Sequence, residues 1–206
     1  MHVEIRHPLL QHKLSLLRDK GTKQKEFREL SSEITMLLTY EAFKDMPLVK
    51  KSLATPLTET EGYEIKDDII IVPILRAGVG MLEGILNLLP NARVGFVGIY
   101  RDPDTKQPVE YYEKLPVNPV NPLVVIIDPM LATGGSIIAT IALLRKKGFD
   151  RIKIISIISA PEGIEAVEKA YADIEIFTGH IDSYLDDHKY IVPGLGDAGD
   201  RLFGTK

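Results

Sequence analysis

Val124-Val125-Ile126-Ile127-Asp128-Pro129-Met130-Leu131-Ala132-Thr133-Gly134-Gly135-Ser136 is the stretch whose reading decides the fold. Leu123 and the four β-branched residues after it form an unbroken apolar run, as expected of a strand covered on both faces within a parallel sheet. Ligands of such sheets sit at the carboxyl ends of the strands, where Asp128 stands. Thr133, Gly134, Gly135 and Ser136 carry little bulk, so several backbone N–H groups can turn toward one anion. The positive end of a helix starting near Ser136 adds to that attraction. No Lys follows the glycines, so the loop is not of the Walker type.

The rest of the chain repeats the same strand-then-helix rhythm. Strands are expected at Ile69 to Ile74, Val94 to Tyr100, Leu123 to Ile127, Ile154 to Ser159 and Ile174 to Thr178. Helices are expected after three of them: one with Leu82, Ile85, Leu86 and Leu89 stopped by Pro90, then Ser136 to Lys147, and Pro161 to Tyr171. Ahead of these, His7-Pro8 opens a helix with Leu10, Leu14 and Leu17 on one face, and a second follows with Phe27, Leu30, Ile34 and Leu37. Alternation of this kind predicts an α/β fold with a mostly parallel sheet flanked by helices.

Two arginines close apolar strands. Arg76 precedes Ala77-Gly78, and Arg101 ends the Val94 to Tyr100 strand. Each alone fits a surface ion pair, but both fall on the sheet edge where the small-residue loop opens, which points to a shared anion. Between Arg101 and Leu123 runs a long Pro-broken connection, and loops of that length are commonly lids or binding loops. For Tyr111 and Tyr112 an alternating strand with one in and one out is at least as consistent; Lys106, Tyr111 and Tyr112 become lid candidates through the family resemblance that follows. Near the C-terminus, Tyr190-Ile191-Val192-Pro193-Gly194-Leu195-Gly196-Asp197-Ala198-Gly199-Asp200-Arg201 reads as a Gly- and Pro-rich loop with no helix or strand pattern behind it. His180, Asp182 and Asp186-Asp187-His188 are read as a solvated turn before that loop, in preference to a metal site.

Composition bounds the function. The 206 residues are 45% hydrophobic and 26% charged, with a formal net charge of -4, which gives no electrostatic footprint for nonspecific nucleic-acid binding. Zero Cys excludes disulfides and thiolate catalysis. No apolar run reaches membrane-spanning length and Met1 to Pro8 is polar and mixed, so a cytoplasmic protein without a membrane partner is expected.

With the strand and the acid included, the opening stretch resembles the phosphoribosyl-diphosphate (PRPP) loop of type I phosphoribosyltransferases. In the form D-P-M-L-A-T-G-G-S it is the loop that uracil phosphoribosyltransferases carry. The segment from Tyr190 to Arg201 is similar to that family's uracil-binding loop, and the similarity extends from His7-Pro8-Leu9-Leu10-Gln11-His12-Lys13 to Phe203-Gly204-Thr205-Lys206. The resemblance implies one domain over 1–206: an N-terminal helical layer (1–50), a PRPP-binding core (67–180) and a uracil-binding hood (181–206). It implies that Asp128, Pro129, Met130, Leu131, Ala132, Thr133, Gly134, Gly135 and Ser136 bind PRPP together with Arg76, Arg101 and Asp197. Leu75-Arg76-Ala77-Gly78 becomes the pyrophosphate turn, where the family commonly has a nonproline cis peptide. Backbone groups at Ile191, Gly196 and Ala198 hold uracil, with Asp197 beside them. Arg76, Asp128 and Asp197 are the implied catalytic residues, Asp197 or pyrophosphate itself taking the proton from uracil N1. The family pattern usually has two adjacent acids, but here the second is Pro129, so Mg²⁺ is expected to arrive as Mg-PRPP and no resident metal is expected. The products are UMP and pyrophosphate, the assembly is a homodimer or homotetramer, and GTP is a possible effector.

Two other classes share the fold. One is a regulator binding pyrimidine nucleotides and leader RNA, which the net-acidic chain does not favour. The other is a transferase for orotate or a purine. Orotate would ask for a cation in the base loop, and Arg201 is the sole candidate nearby.

Overall fold

The computed structural model describes residues 1–101, 108–117 and 120–205, the side chains of Tyr100, Arg101 and Pro108 excepted. Along the chain the elements are β1 (His2–Glu4), α1 (Pro8–Arg18), α2 (Gln24–Ala42), β2 (Leu48–Ala54), β3 (Glu59–Ile65), β4 (Ile69–Leu75), α3 (Val79–Leu88), β5 (Arg93–Val94), β6 (Phe96–Arg101), β7 (Pro108–Lys114) and β8 (Leu123–Ile127). They continue with β9 (Met130–Leu131), α4 (Gly135–Lys146), β10 (Arg151–Ser156), β11 (Ile158–Ser159), α5 (Pro161–Ala170), β12 (Glu175–Thr178), β13 (Tyr184–Leu185), β14 (Ile191–Val192) and α6 (Ala198–Phe203).

Eight strands form one sheet in the order β1-β12-β10-β8-β4-β6-β7, with β5 also on β4. Every pairing in it is parallel except that of β6 with β7. The period of two in each strand divides the apolar residues between two cores. Ile69, Ile71, Val125, Ile127 and Ile155 pack with α1, α2, α3 and α6 on one face. Ile70, Val72, Ile74, Val124, Ile126 and Ile154 pack with α4 and α5 on the other. Burial on both faces is why these strands read as continuous apolar runs in place of alternation.

From β4 the chain passes through α3 toward β6, and from β8 it passes through α4 toward β10, on the opposite face and in the opposite direction. The adjacent strands β4 and β8 therefore flank the topological switch point, and the crevice beyond their carboxyl ends is where an open α/β sheet binds ligands. Close backbone approach tightens this region. A Cβ at Gly84 in α3 would stand 2.2 Å from the Ser32 carbonyl of α2.

The structure departs from the sequence expectations at several places. In α2 the buried residue is Leu38, with Leu37 only partly buried, and in α3 the core face is Met81, Gly84 and Ile85. β10 starts at Arg151, earlier than expected, and is broken before β11. The segment 1–50 is not purely helical, because β1 joins the sheet edge beside β12 and β2 begins at Leu48. β2 and β3 form an antiparallel hairpin, paired from Leu48↔Ile65 to Ala54↔Glu59, that stands almost wholly exposed. Neither strand has a buried stripe facing the core, so no sequence pattern marks the hairpin. The C-terminal loop does lead into a helix, α6, capped by the Asp197 side chain accepting from the Asp200 N–H at 2.9 Å.

Candidate functional site

The loop after β8 is fixed by its backbone. Asp128 N–H donates to the Ile155 carbonyl at 3.3 Å, Ile158 N–H to Pro129 at 3.1 Å, and Ala160 N–H to Leu131 at 2.9 Å, while β9 pairs in parallel with β11. Gly134 then turns the chain into α4 with a left-handed φ of 79°, a conformation that suits glycine. On the outside of this turn α5 comes so near that a Cβ at Gly163 would sit 2.2 Å from the Ala132 carbonyl. Gly134 offers α4 no side-chain cap, and of the first N–H groups that of Gly135 reaches the Thr133 hydroxyl only at 3.5 Å, so the helix start remains open to a further acceptor. They open on a small cavity of about 70 Å³ lined by Asp128, Met130 to Ser136 and Ile137. The size suits one compact anion, and the helix terminus supplies donors and positive potential.

Asp128 lies partly buried at the edge of this cavity. Desolvation pushes its carboxyl up from 3.8 to about 7, against the small opposing effect of the Met130 N–H, which donates to Oδ1 at 3.5 Å. A carboxyl raised by burial beside an anion-sized cavity makes Asp128 a candidate functional position.

The turn after β4 lies beside this loop. A Cβ at Gly78 would come 2.6 Å from the carbonyl of Ile127, so only glycine lets the Leu75–Gly78 turn close over the end of β8. The Leu75–Arg76 peptide is cis, as the family resemblance implied. Arg76 is 57% exposed by its side chain, and its nearest acid is Asp200 at 3.8 Å. A Cβ at Gly199 would be 3.3 Å from Asp197 Oδ1 and 3.8 Å from Arg76 Nη2, so the Leu75–Gly78 turn and the N-terminus of α6 meet. Gly80 on α3 is pressed against Leu202 of α6, which seats the C-terminal segment over the crevice.

That segment is tied down from several sides. The Arg201 guanidinium donates to the carbonyls of Leu17 at 2.8 Å, Leu195 at 2.9 Å and Asp19 at 2.6 Å, and lies 4.3 Å from the Phe27 ring centre. β13 pairs with β14, and Leu185 N–H donates to Glu162 at the start of α5 at 3.0 Å. Asp182, which sequence reading left in a solvated turn, is only 3% exposed and paired with Arg18. This correction has a physical cause: the partner arrives from the end of α1, and nothing local in the sequence announces it.

The sequence-predicted site residues thus collect at one sheet edge. Arg76, Asp128 and the loop to Ser136 stand at the ends of β4 and β8; the start of α6, with Asp197 and Ala198, meets the Arg76 turn, and Ile191 and Gly196 lie in the segment that leads to it. The Arg101 backbone ends β6, next to β4, but its side chain lies outside the described residues, as does Lys106. Tyr111 and Tyr112 do not alternate. A bulge between Gly98 and Ile99 interrupts the pairing, and both rings are exposed, Tyr111 lying over Gly98. Among the described residues, no three His, Asp or Glu are grouped to hold a metal.

A parallel sheet with its switch point occupied by an acid, an uncapped glycine-started helix and a covering C-terminal segment defines a type I phosphoribosyltransferase fold. The adenine phosphoribosyltransferase of Trypanosoma brucei has the same fold, with a TM-score of 0.60 at 16% identity over 95% of this chain and 88% of its own. The AQ2163 protein from Aquifex aeolicus superposes with a TM-score of 0.95 at 40% identity, covering 100% of this chain and 99% of that one. Residues 4–205 match the family model described as uracil phosphoribosyltransferase. The uracil phosphoribosyltransferase of Dictyoglomus turgidum is 55% identical over the full length of both chains, and that of Clostridioides difficile 52% identical over 99% of this chain and 98% of its own. The chain belongs to the uracil phosphoribosyltransferase family, enzymes of the pentosyltransferase class.

The raised carboxyl of Asp128 has a consequence for stability. Between about pH 4 and 7 the unfolded chain has lost a proton that the folded chain keeps, so the ligand-free fold loses stability across that window as pH rises. Asp128→Asn removes the cost. At pH 8 the ligand-free variant is expected to be more stable than the parent by on the order of 1 to 2 kcal/mol after solvent screening, with no gain near pH 4. Thermal melts at the two pH values check this, and coincident curves at pH 8 would mean that the carboxylate is well solvated.

Proposed function

We propose that the protein transfers the 5-phosphoribosyl group of PRPP to N1 of uracil, giving UMP and pyrophosphate, with 1–206 acting as one domain in the cytoplasm. The reading is carried by one observation: the anion cavity at the start of α4, the partly buried Asp128 and the Arg76 turn adjoin at the switch point, under a segment whose glycines leave backbone available. The 5-phosphate takes the α4 N–H groups, Asp128 takes the ribose hydroxyls, and Arg76 with Arg101 takes the diphosphate.

The C1–O bond to pyrophosphate breaks as the N1–C1 bond forms, with positive charge building on the ribose ring. The chain contributes by aligning the three groups, by neutralising the departing charge and by covering C1 against water. Nucleophilic catalysis by a side chain is not needed. A single carboxylate beside Pro129, in place of an acidic pair, fits Mg²⁺ brought in on the phosphate oxygens of PRPP, since that ion keeps several waters and binds through substrate phosphates. Bound there, the ion would offset part of the diphosphate charge. Uracil offers an acceptor at O4 and a donor at N3, and cytosine reverses both. Fixed backbone groups at Ile191, Gly196 and Ala198 accept the first pattern, and each reversed buried polar contact costs about 1 to 3 kcal/mol.

The activity is tested by pyrophosphate release from PRPP and Mg²⁺ with uracil, cytosine, orotate, adenine or hypoxanthine offered separately, with and without GTP. Release with uracil alone, with UMP confirmed by mass, is expected; release only with another base would overturn the assignment, and a GTP-dependent rise would identify the nucleotide as an effector.

Asp197 is proposed as the acceptor of the N1 proton, although it also caps α6. Asp197→Asn separates these roles, because Asn caps helices as well as Asp does. The variant should keep its melting temperature while kcat falls by about a hundredfold. An unchanged kcat would give the proton to pyrophosphate.

The exposed hairpin of β2 and β3 carries Leu48, Val49, Leu53, Leu57, Tyr63 and Ile65 at its surface. Apolar side chains on an arm standing off the core are proposed to bury against a second copy of the chain. Light scattering should give twice the monomer mass or more, and Leu53→Asp with Tyr63→Asp should lower it; a parent that runs as a monomer would contradict this.

A further inference from the structure

We infer that the ion pair of Arg18 with the buried Asp182 is a positioning device for the base, fixing the turn from Ile191 to Gly194 that presents backbone to uracil; the inference rests on the proposed uracil reading. Asp182 Oδ2 accepts from the Gly194 N–H at 2.9 Å, and Arg18 Nη1 donates to the Gly194 carbonyl at 2.6 Å. Both polar groups of one backbone residue are therefore held by a single ion pair. The pair itself is bidentate: Nη1 donates to Asp182 Oδ2 at 2.8 Å and Nη2 donates to Oδ1. Planar two-point geometry of this kind is available to Arg and not to Lys.

Gly194 is the tightest point of the loop. Its φ is 63°, and a Cβ there would lie 2.1 Å from the carbonyl of Ile191. Any drift of Gly194 is thus transmitted to Ile191, one of the positions proposed to read the base. The other end of the clamp leads to the phosphate loop. Asp182 N–H donates to the Ser159 carbonyl at 2.8 Å, Ser159 ends β11, and β11 pairs with β9 between Asp128 and Gly134. His180 flanks the pair, with Nε2 3.7 Å from Asp182 Oδ1 and Nδ1 3.1 Å from Glu4. One carboxylate consequently sets the base turn relative to the loop that holds the ribose phosphate.

A mere anchoring role for the C-terminal segment is already filled by others. Arg201 with its three carbonyls, the β13–β14 pairing and the Leu185–Glu162 bond hold the segment without Arg18. What the clamp adds is the position of Gly194, so its loss should be felt by the base and not by PRPP.

The test is steady-state kinetics of Arg18→Lys and Asp182→Asn, with KM measured separately for each substrate. In Arg18→Lys one charge contact survives and the simultaneous hold on Gly194 is lost. KM for uracil should rise roughly tenfold, the equivalent of one such bond, while KM for PRPP stays within about twofold and the preference for uracil over cytosine narrows. Asp182→Asn leaves Arg18 without its counter-charge and should show a larger effect of the same kind. Should that variant fail to fold, Arg18→Lys alone carries the test. An unchanged KM for uracil in folded Arg18→Lys, or equal rises for both substrates, would overturn the inference. A parent enzyme that consumes PRPP only with some other base would instead refute the uracil reading, and the same KM split for that base would still decide the clamp.

Discussion

The parallel pairing of β4 with β8 is the constraint on which the other features depend. Ile69↔Leu123 through Pro73↔Ile127 lie in register at the centre of the sheet, dry on both faces. Burial of both faces forces the following helices to opposite sides, and opposite exits leave a crevice that neither helix fills. Gly78 then allows the turn after β4 to rest on the last carbonyl of β8. A bulkier residue would lift Arg76 away from Asp128, and the crevice would lose either its cation or its acid.

Around that crevice the division of labour is unusual for an enzyme. On the proposed reading backbone is offered to the ligand, and side chains hold the backbone. Gly163 yields space so that α5 can brace the loop after β8 from outside. Arg201 spends its donors on three carbonyls, and Asp197 caps the helix that it begins. Such support matters because hydrogen-bond recognition by main chain discriminates only when the main chain cannot shift to suit a wrong base.

How much of this was legible follows from where the information lies. β4 and β8 were readable because a doubly buried strand must be apolar throughout, and the phosphate loop because its small residues are contiguous. The helix faces were readable to within one position: choosing Leu37 over Leu38 in α2 is the error that a period of 3.6 allows when both residues are Leu. The hairpin of β2 and β3 was not readable, since strands exposed on both faces carry no core pattern. β1 escaped for a related reason, being three residues long and placed by pairing with β12 far along the chain. Asp182 and Arg18 show the limit most clearly. Each is an ordinary charged residue in its own neighbourhood, and only the fold brings the end of α1 against the base loop.

Orotate differs from uracil by a carboxylate, so a site for it needs a cation not already engaged. Within the segment from Ile191 to Gly204 the sequence has one cation, Arg201. Its donors are directed at Leu17, Leu195 and Asp19, and its face is against Phe27. Recruiting it for a ligand would orphan three carbonyls, one of them on the base loop itself, at about 1 to 3 kcal/mol for each that stays buried. The same segment carries Asp197 and Asp200 close to Arg76, which would repel a second carboxylate. On the proposed reading a base without charge suits this surface, and the fixed main-chain groups would choose among the uncharged ones.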